Sequence, residues 1–192
     1  MKPGILYLHG FSSSPDSWKA SLLAEAMEAR GLSGRFFRPR LSHIPDEALA
    51  AAENVIRESK GAGCSLTLVG SSLGGFYATV LAERHGLRAV LINPVVSALT
   101  PLERYLGKQA NLQTGEPFEL TRDHLRQLEA MEIGAISPER YLLFVETGDE
   151  TLNYREAMFR YVNARQYVME GGDHGFTRFP EIVPLLFDFC GL

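Results

Sequence analysis

The chain has 192 residues, a formal net charge of −4, and 45% hydrophobic against 22% charged residues. That balance belongs to an ordinary globular chain with a core of normal size, and it leaves no basic footprint for nucleic acid or anionic membrane. No stretch is apolar for long enough to span a bilayer or serve as a secretory signal, and Cys64 and Cys190 lie far apart without metal-ligand spacing, so the expectation is a cytoplasmic protein with reduced, inert thiols.

Residues 5–8, Ile-Leu-Tyr-Leu, read as a buried first strand. After His9-Gly10-Phe11, Ser14-Pro15-Asp16 reads as a helix start, with Ser14 as N-cap and Asp16 on the positive end of the dipole. Trp18, Leu22, Leu23, Ala26 and Met27 give that helix an apolar stripe, and Gly31 ends it. Phe36-Phe37 fits a short edge strand. Pro45-Asp46-Glu47 opens a second helix, with Leu49, Ala52, Val55 and Ile56 inward as far as Gly61. A strand over residues 66–69 runs into a helix over 76–85. Further strands are predicted at 89–92, 141–146 and 164–169, with a short helix near 155–161 and a last one within 180–189 that has to accommodate Pro184. Strands alternating with helices predict an α/β protein: a doubly wound, mostly parallel sheet of about six strands, forming one domain over residues 1–192.

One segment breaks the alternation. Residues 97–138 are far more than a single crossover helix needs, and excursions of this length at the C-terminal end of a strand usually carry function. The segment offers Leu99, Leu102, Tyr105, Leu106, Leu125, Leu128 and Met131 around a polar, turn-rich middle. It reads either as a small helical cap over the strand ends, with Leu102, Tyr105 and Leu128 lining an acyl pocket, or as padding on the sheet edge.

The chemistry is concentrated in Gly70-Ser71-Ser72-Leu73-Gly74, between a strand and a helix. A strand, a sharp turn and a helix with serine at the apex make a nucleophile elbow. Such a turn has no room for a Cβ two residues either side of the apex, so glycine is required at both places. Ser72 has Gly70 and Gly74 there, whereas Ser71 would have Val69 and Leu73; Ser72 is the candidate nucleophile. A phosphate-binding loop at the helix N-terminus is the competing reading, but no lysine stands in this turn.

A serine hydroxyl needs a base within hydrogen-bond reach, and in a parallel sheet such groups gather after the C-terminal ends of strands. His174, in Gly171-Gly172-Asp173-His174-Gly175 after the last strand, is the candidate base. His43, His85 and His124 read as surface residues, and His9 as a brace for its own loop. Asp149 and Glu150 follow the fifth strand. Asp149 is favoured as the acid that holds the imidazole tautomer, with Glu150 as the alternative; Asp173 adjoins the histidine and is discounted. For the oxyanion of a tetrahedral intermediate, the donors expected are the backbone N–H groups of Leu73 and of Phe11 in the loop after the first strand.

Taken together, Leu6-Tyr7-Leu8-His9-Gly10-Phe11-Ser12-Ser13-Ser14-Pro15, Val69-Gly70-Ser71-Ser72-Leu73-Gly74-Gly75-Phe76-Tyr77-Ala78, Leu91-Ile92-Asn93-Pro94, Thr147-Gly148-Asp149-Glu150 and Glu170-Gly171-Gly172-Asp173-His174 resemble the YqiA/YcfP family of small bacterial α/β-hydrolase esterases. The likeness spans nearly the whole chain. It implies an α/β-hydrolase fold, a Ser72-Asp149-His174 triad, and action on small-molecule carboxylic esters or acyl thioesters without cofactor or metal. A catalytically silent copy of that fold and an acyltransferase with the same triad are the alternatives. No oligomeric state is indicated.

Overall fold

The computed structural model of the protein describes residues 1–97 and 99–192, apart from the side chains of Leu99 and Thr100. In chain order the elements are β1 (Lys2–Leu8), α1 (Trp18–Glu28), β2 (Phe36–Phe37), α2 (Pro45–Gly61), β3 (Cys64–Ser71), α3 (Leu73–His85), β4 (Arg88–Ile92), α4 (Leu99–Glu103), β5 (Gly107–Ala110), β6 (Pro117–Leu120), α5 (Arg122–Met131), β7 (Tyr141–Glu146), α6 (Tyr154–Arg160), β8 (Arg165–Met169) and α7 (Phe179–Cys190).

Six strands form one parallel sheet in the order β2-β1-β3-β4-β7-β8. Its central strands are apolar on both faces because helices cover both. Along β1 the faces alternate. Ile5 and Tyr7 pack with Leu23 and Met27 of α1 and Leu186 of α7. Leu6 and Leu8 pack on the other side with Ala52 of α2 and Ala78 of α3. The chain runs outward from β1 to β2 and then returns to β3 on the far side of β1, so the winding direction reverses between β1 and β3. In open α/β sheets ligands bind at such a reversal, outside the carboxyl ends of the strands. The register pairs Leu8 with Gly70, Ser71 with Ile92, and Ile92 with Phe144. The loops after β1, β3, β4 and β7 therefore leave the sheet at one edge.

Two details depart from the sequence reading. α1 begins at Trp18 and not after Ser14. Ser14 instead closes a turn of its own: its hydroxyl accepts the Asp16 N–H (3.1 Å) and its carbonyl the Ser17 N–H (3.1 Å). A serine before Pro-Asp serves such a turn as readily as a helix cap. The second departure is the excursion between β4 and β7, which is not purely helical. Its middle folds into an antiparallel β5–β6 hairpin, with Gly107 opposite Leu120 and Ala110 opposite Pro117.

This insert leans back across the strand ends toward α2 and the loop after β1. Gln127 of α5 accepts the Asp46 N–H of α2 (3.2 Å). At the hairpin tip the Leu112 N–H reaches the Ser12 carbonyl and the Asn111 amide reaches the Ser13 carbonyl, each at 2.8 Å, while the Ser14 hydroxyl donates to Gln113. Cys64 and Cys190 are free thiols; burial raises both, and Cys190 is pushed up to about 12.

Candidate active site

Ser72 stands between β3 and α3 with φ 55° and ψ −121°, a backbone conformation that a side-chain-bearing residue holds only when its surroundings enforce it. The enforcement is visible. The Ser72 N–H donates to the Ile92 carbonyl (3.1 Å), and its own carbonyl accepts the N–H groups of Gly75 (2.9 Å) and Val95 (3.0 Å). A Cβ at Gly70 would run into the Gly74 carbonyl, and one at Gly74 into the carbonyls of Leu8 and His9. The two glycines that set the register are thus required by the backbone of the turn and of the neighbouring strand. Ser71 lies buried in the strand's last position, while Ser72 is partly open.

His174 reaches both predicted partners. Its Nε2 lies 3.0 Å from Ser72 Oγ, and its Nδ1 lies 2.9 Å from Asp149 Oδ2. A carboxylate only accepts, so Nδ1 carries the proton and Nε2 is left to accept from the serine hydroxyl. The Asp149 side chain is 1% exposed, and its other oxygen accepts the N–H groups of Thr151 and Leu152, both at 2.8 Å. Those bonds fix the carboxylate before it meets the imidazole.

Glu150, the alternative acid, is placed otherwise. It accepts the backbone N–H of His174 (3.0 Å), and that bond, more than any other contact, holds its carboxyl below the usual range. Both acids after β7 therefore serve His174, one through the ring and one through the main chain. Asp173 takes the Thr177 hydroxyl (3.1 Å).

The loop after β1 lies directly against the serine: a side-chain carbon at Gly10 would meet the Ser72 Cβ at 3.2 Å. His9 is buried, its Nε2 accepting the Leu41 N–H (3.1 Å) and its Nδ1 donating to the Gly10 carbonyl (3.0 Å). The ring thus ties the loop to the segment before α2, and burial holds it below the ordinary histidine value.

Beside Phe11 and Leu73, the two predicted oxyanion donors, a cavity of about 350 Å³ opens. Leu102 and Leu128 of the insert line it, as do Tyr77, Leu120 and Phe118. Tyr105 does not line it; the ring packs behind Phe11, centroid to centroid 5.7 Å, and supports the wall. The side chain of Leu99, another of the apolar residues the insert offers, lies outside what is described. The sequence reading gives Phe118 and Leu120 no part in this wall; pairing in the hairpin brings them to it.

Two of the supposed surface histidines also belong to this neighbourhood. His43 is exposed but lines the cavity and packs tilted against Phe118, ring centroids 5.1 Å apart. His124 is buried at 9% exposure, its Nδ1 accepting the Thr121 N–H in a reciprocal cap of α5. Glutamate usually fills that role, so the cap was not legible as one.

The chain belongs to the family described as Uncharacterised protein family (UPF0227), whose model matches residues 4–191. It is the same family, YqiA/YcfP, that the motifs resemble. Among solved structures it is similar to the mouse alpha/beta hydrolase domain-containing protein 10, at 16% identity over 98% of this chain and 89% of that one, with a TM-score of 0.71. It is similar as well to one of the metagenome-derived lipolytic enzymes LipS and LipT, at 16% identity over 98% and 93%, TM-score 0.72. The esterase domain of a Rhodothermus marinus protein matches at 18% identity over 97% and 85%, TM-score 0.67. At such identities the likeness establishes the α/β-hydrolase fold.

Proposed function

We propose, from that family membership and the geometry of its sheet edge, that the protein is a serine hydrolase of carboxylic esters and acyl thioesters. The observation that carries the reading is the unbroken relay from Asp149 through His174 to Ser72, at 2.9 and 3.0 Å, ending on a strained elbow beside a cavity with leucines and aromatic rings in its wall. The lipolytic and esterase neighbours named above add support from the same fold.

In this mechanism the acyl group enters the cavity and its carbonyl carbon meets Ser72 Oγ. His174 Nε2 takes the serine proton as the new C–O bond forms. The backbone N–H groups of Phe11 and Leu73 receive the oxyanion, and Leu73 adds the positive end of α3. Buried Asp149 stabilises the imidazolium and keeps the ring's tautomer. His174 then gives its proton to the departing alcohol or thiol, leaving an acyl-Ser72 ester. A water molecule, deprotonated by the same imidazole, releases the acid and restores the serine.

A fluorophosphonate probe tests the reading: the wild-type protein should label at Ser72 and turn over acyl esters in a panel of esters, thioesters and amides. No labelling of folded protein would leave a silent fold. Labelling accompanied by transfer to an added alcohol in preference to water would mark an acyltransferase. The reading also places the protein in the cytoplasm, acting on small molecules. Among the described residues no helix is long and apolar enough to cross a membrane.

A further inference from the structure

Two buried polar side chains that the relay does not use converge under the loop carrying His174. Glu146 is the last residue of β7, in a strand that otherwise reads Tyr-Leu-Leu-Phe-Val, and its exposure is 0%. A carboxylate in such a place is costly unless its oxygens are matched. One is: Oε2 accepts the Asp173 N–H at 2.9 Å. The other, Oε1, has the Arg178 Nε at 3.7 Å but no hydrogen-bond partner among the described residues, and the Lys19 ammonium is a second cation that feels this carboxylate. Gly172 lies against this carboxylate with no space for a Cβ between them.

Asn93 follows β4 with φ 39° and is 3% exposed. Both ends of its amide are engaged. Oδ1 accepts the Glu146 N–H (3.0 Å), and Nδ2 donates to the carbonyls of Asp173 (3.0 Å) and His174 (3.4 Å). Its own N–H is anchored on the Phe144 carbonyl (3.0 Å). A single planar group therefore connects three things: the strand beside the elbow, the root of the loop bearing Asp149, and the main chain of the histidine itself.

We propose that Asn93 is a positioning residue for His174, acting together with Glu146, an inference that rests on the serine-hydrolase reading above. The imidazole holds two short bonds at once, and the place of its ring is set by where residues 173 and 174 lie. Glu146 holds this stretch by the Asp173 N–H, and Asn93 holds it by the Asp173 and His174 carbonyls. Removing the amide leaves the Asp173 carbonyl with the Phe176 N–H alone (3.1 Å) and the His174 carbonyl with no donor among the described residues, and it frees the loop to shift. A misplacement of about 1 Å in a reacting geometry costs on the order of 10²-fold in rate.

The test compares Asn93→Ala and Asn93→Asp with wild type on a p-nitrophenyl ester. Asn93→Asp keeps the acceptor for the Glu146 N–H but turns an oxygen toward two carbonyls. Both variants should lose about 10²-fold in kcat with KM changed less than threefold, and should label more slowly with a fluorophosphonate. Placed in a His174→Ala background, Asn93→Ala should cost almost nothing further, because its effect runs through the imidazole. A loss that multiplies in that background, or kcat within threefold of wild type in the single variants, overturns the proposal.

Glu146 supplies a second pair in case the Asn93 variants do not fold. Glu146→Gln keeps an oxygen for the Asp173 N–H and should stay within tenfold of wild type, whereas Glu146→Met should fall about 10²-fold. Equal loss in the two would also overturn it. Failure of wild-type protein to label at Ser72 would instead remove the serine-hydrolase reading itself, so the two failures are told apart.

Discussion

The elbow at residues 70–74 and the insert between β4 and β7 face the same cavity but are built by different physics. In the elbow the backbone decides. Ser72 sits at φ 55°, and the space around Gly70 and Gly74 is filled by main-chain carbonyls. A side chain there cannot be accommodated by repacking, so the geometry is written into five consecutive residues. In the insert, side chains and long-range contacts decide. β5 and β6 have four residues each and are tied to the rest of the chain through Ser12, Ser13 and Ser14. Local rigidity suits a group that must meet a reacting carbon within tenths of an ångström. A wall of leucines and rings can vary while its volume is kept.

If the elbow is the rigid partner of the pair, its apex should be irreplaceable. Ser72→Ala should lower kcat on the order of 10⁶-fold, while Ser71→Ala, one residue back in the strand, costs far less. Steady-state rates on one activated ester decide this. A dead Ser71 variant beside an active Ser72 variant would put the turn in the other register.

Next in size come the two acids of the β7 loop. Asp149→Asn should slow turnover about 10⁴-fold by misplacing the imidazole proton. Glu150→Gln, which keeps an oxygen for the His174 N–H, should cost less than tenfold. Kinetics of the two single variants at one pH separate them, and the reverse order would give the ring to Glu150.

How far these regions could be read from sequence follows the same division. Gly70, Gly74 and Ser72 were legible because a backbone rule acts over five residues. His174 was legible because glycines flank it after a strand. The choice between Asp149 and Glu150 was only a preference: adjacent acids differ in where they point, and that is settled by the N–H groups of Thr151 and Leu152. The hairpin was missed because Gly-Lys-Gln-Ala and Pro-Phe-Glu-Leu carry almost no strand pattern until they are paired. Asn93 and Glu146 were read only as strand ends. The available signal was a glutamate closing an otherwise apolar strand, an unusual place for a charge.

The insert should show the smaller, graded behaviour of a packed wall. Rates on p-nitrophenyl esters should rise with acyl length until the cavity of about 350 Å³ is full, and then fall. Leu102→Ala should flatten that rise by roughly tenfold at the best chain length and leave acetate turnover nearly unchanged. A profile highest at acetate and indifferent to Leu102 would make the insert padding.

The smallest expected effect is on stability, and it arises at His9, whose ring ties the loop after β1 to the segment before α2. In the folded protein this ring is neutral: Nε2 must accept from the Leu41 N–H, and burial, with Arg40 nearby, disfavours a second proton. His124 of the insert is lowered as well, by burial and by His43. A lowered folded value means that the unfolded chain, titrating near 6.5, takes up protons first as the pH falls. Stability is therefore whole above about pH 6.5 and declines below it, by at most about 1.4 kcal/mol per pH unit for His9, until the folded ring itself titrates. Urea midpoints of wild type and His9→Gln at pH 7.5, 6.5 and 5.5 measure this. The variant should start lower, having lost the fit of the ring, but fall less steeply, with His124 supplying the remaining slope. Parallel slopes would mean that His9 accepts its second proton without strain and that the loop bearing Phe11 is not held by a neutral ring.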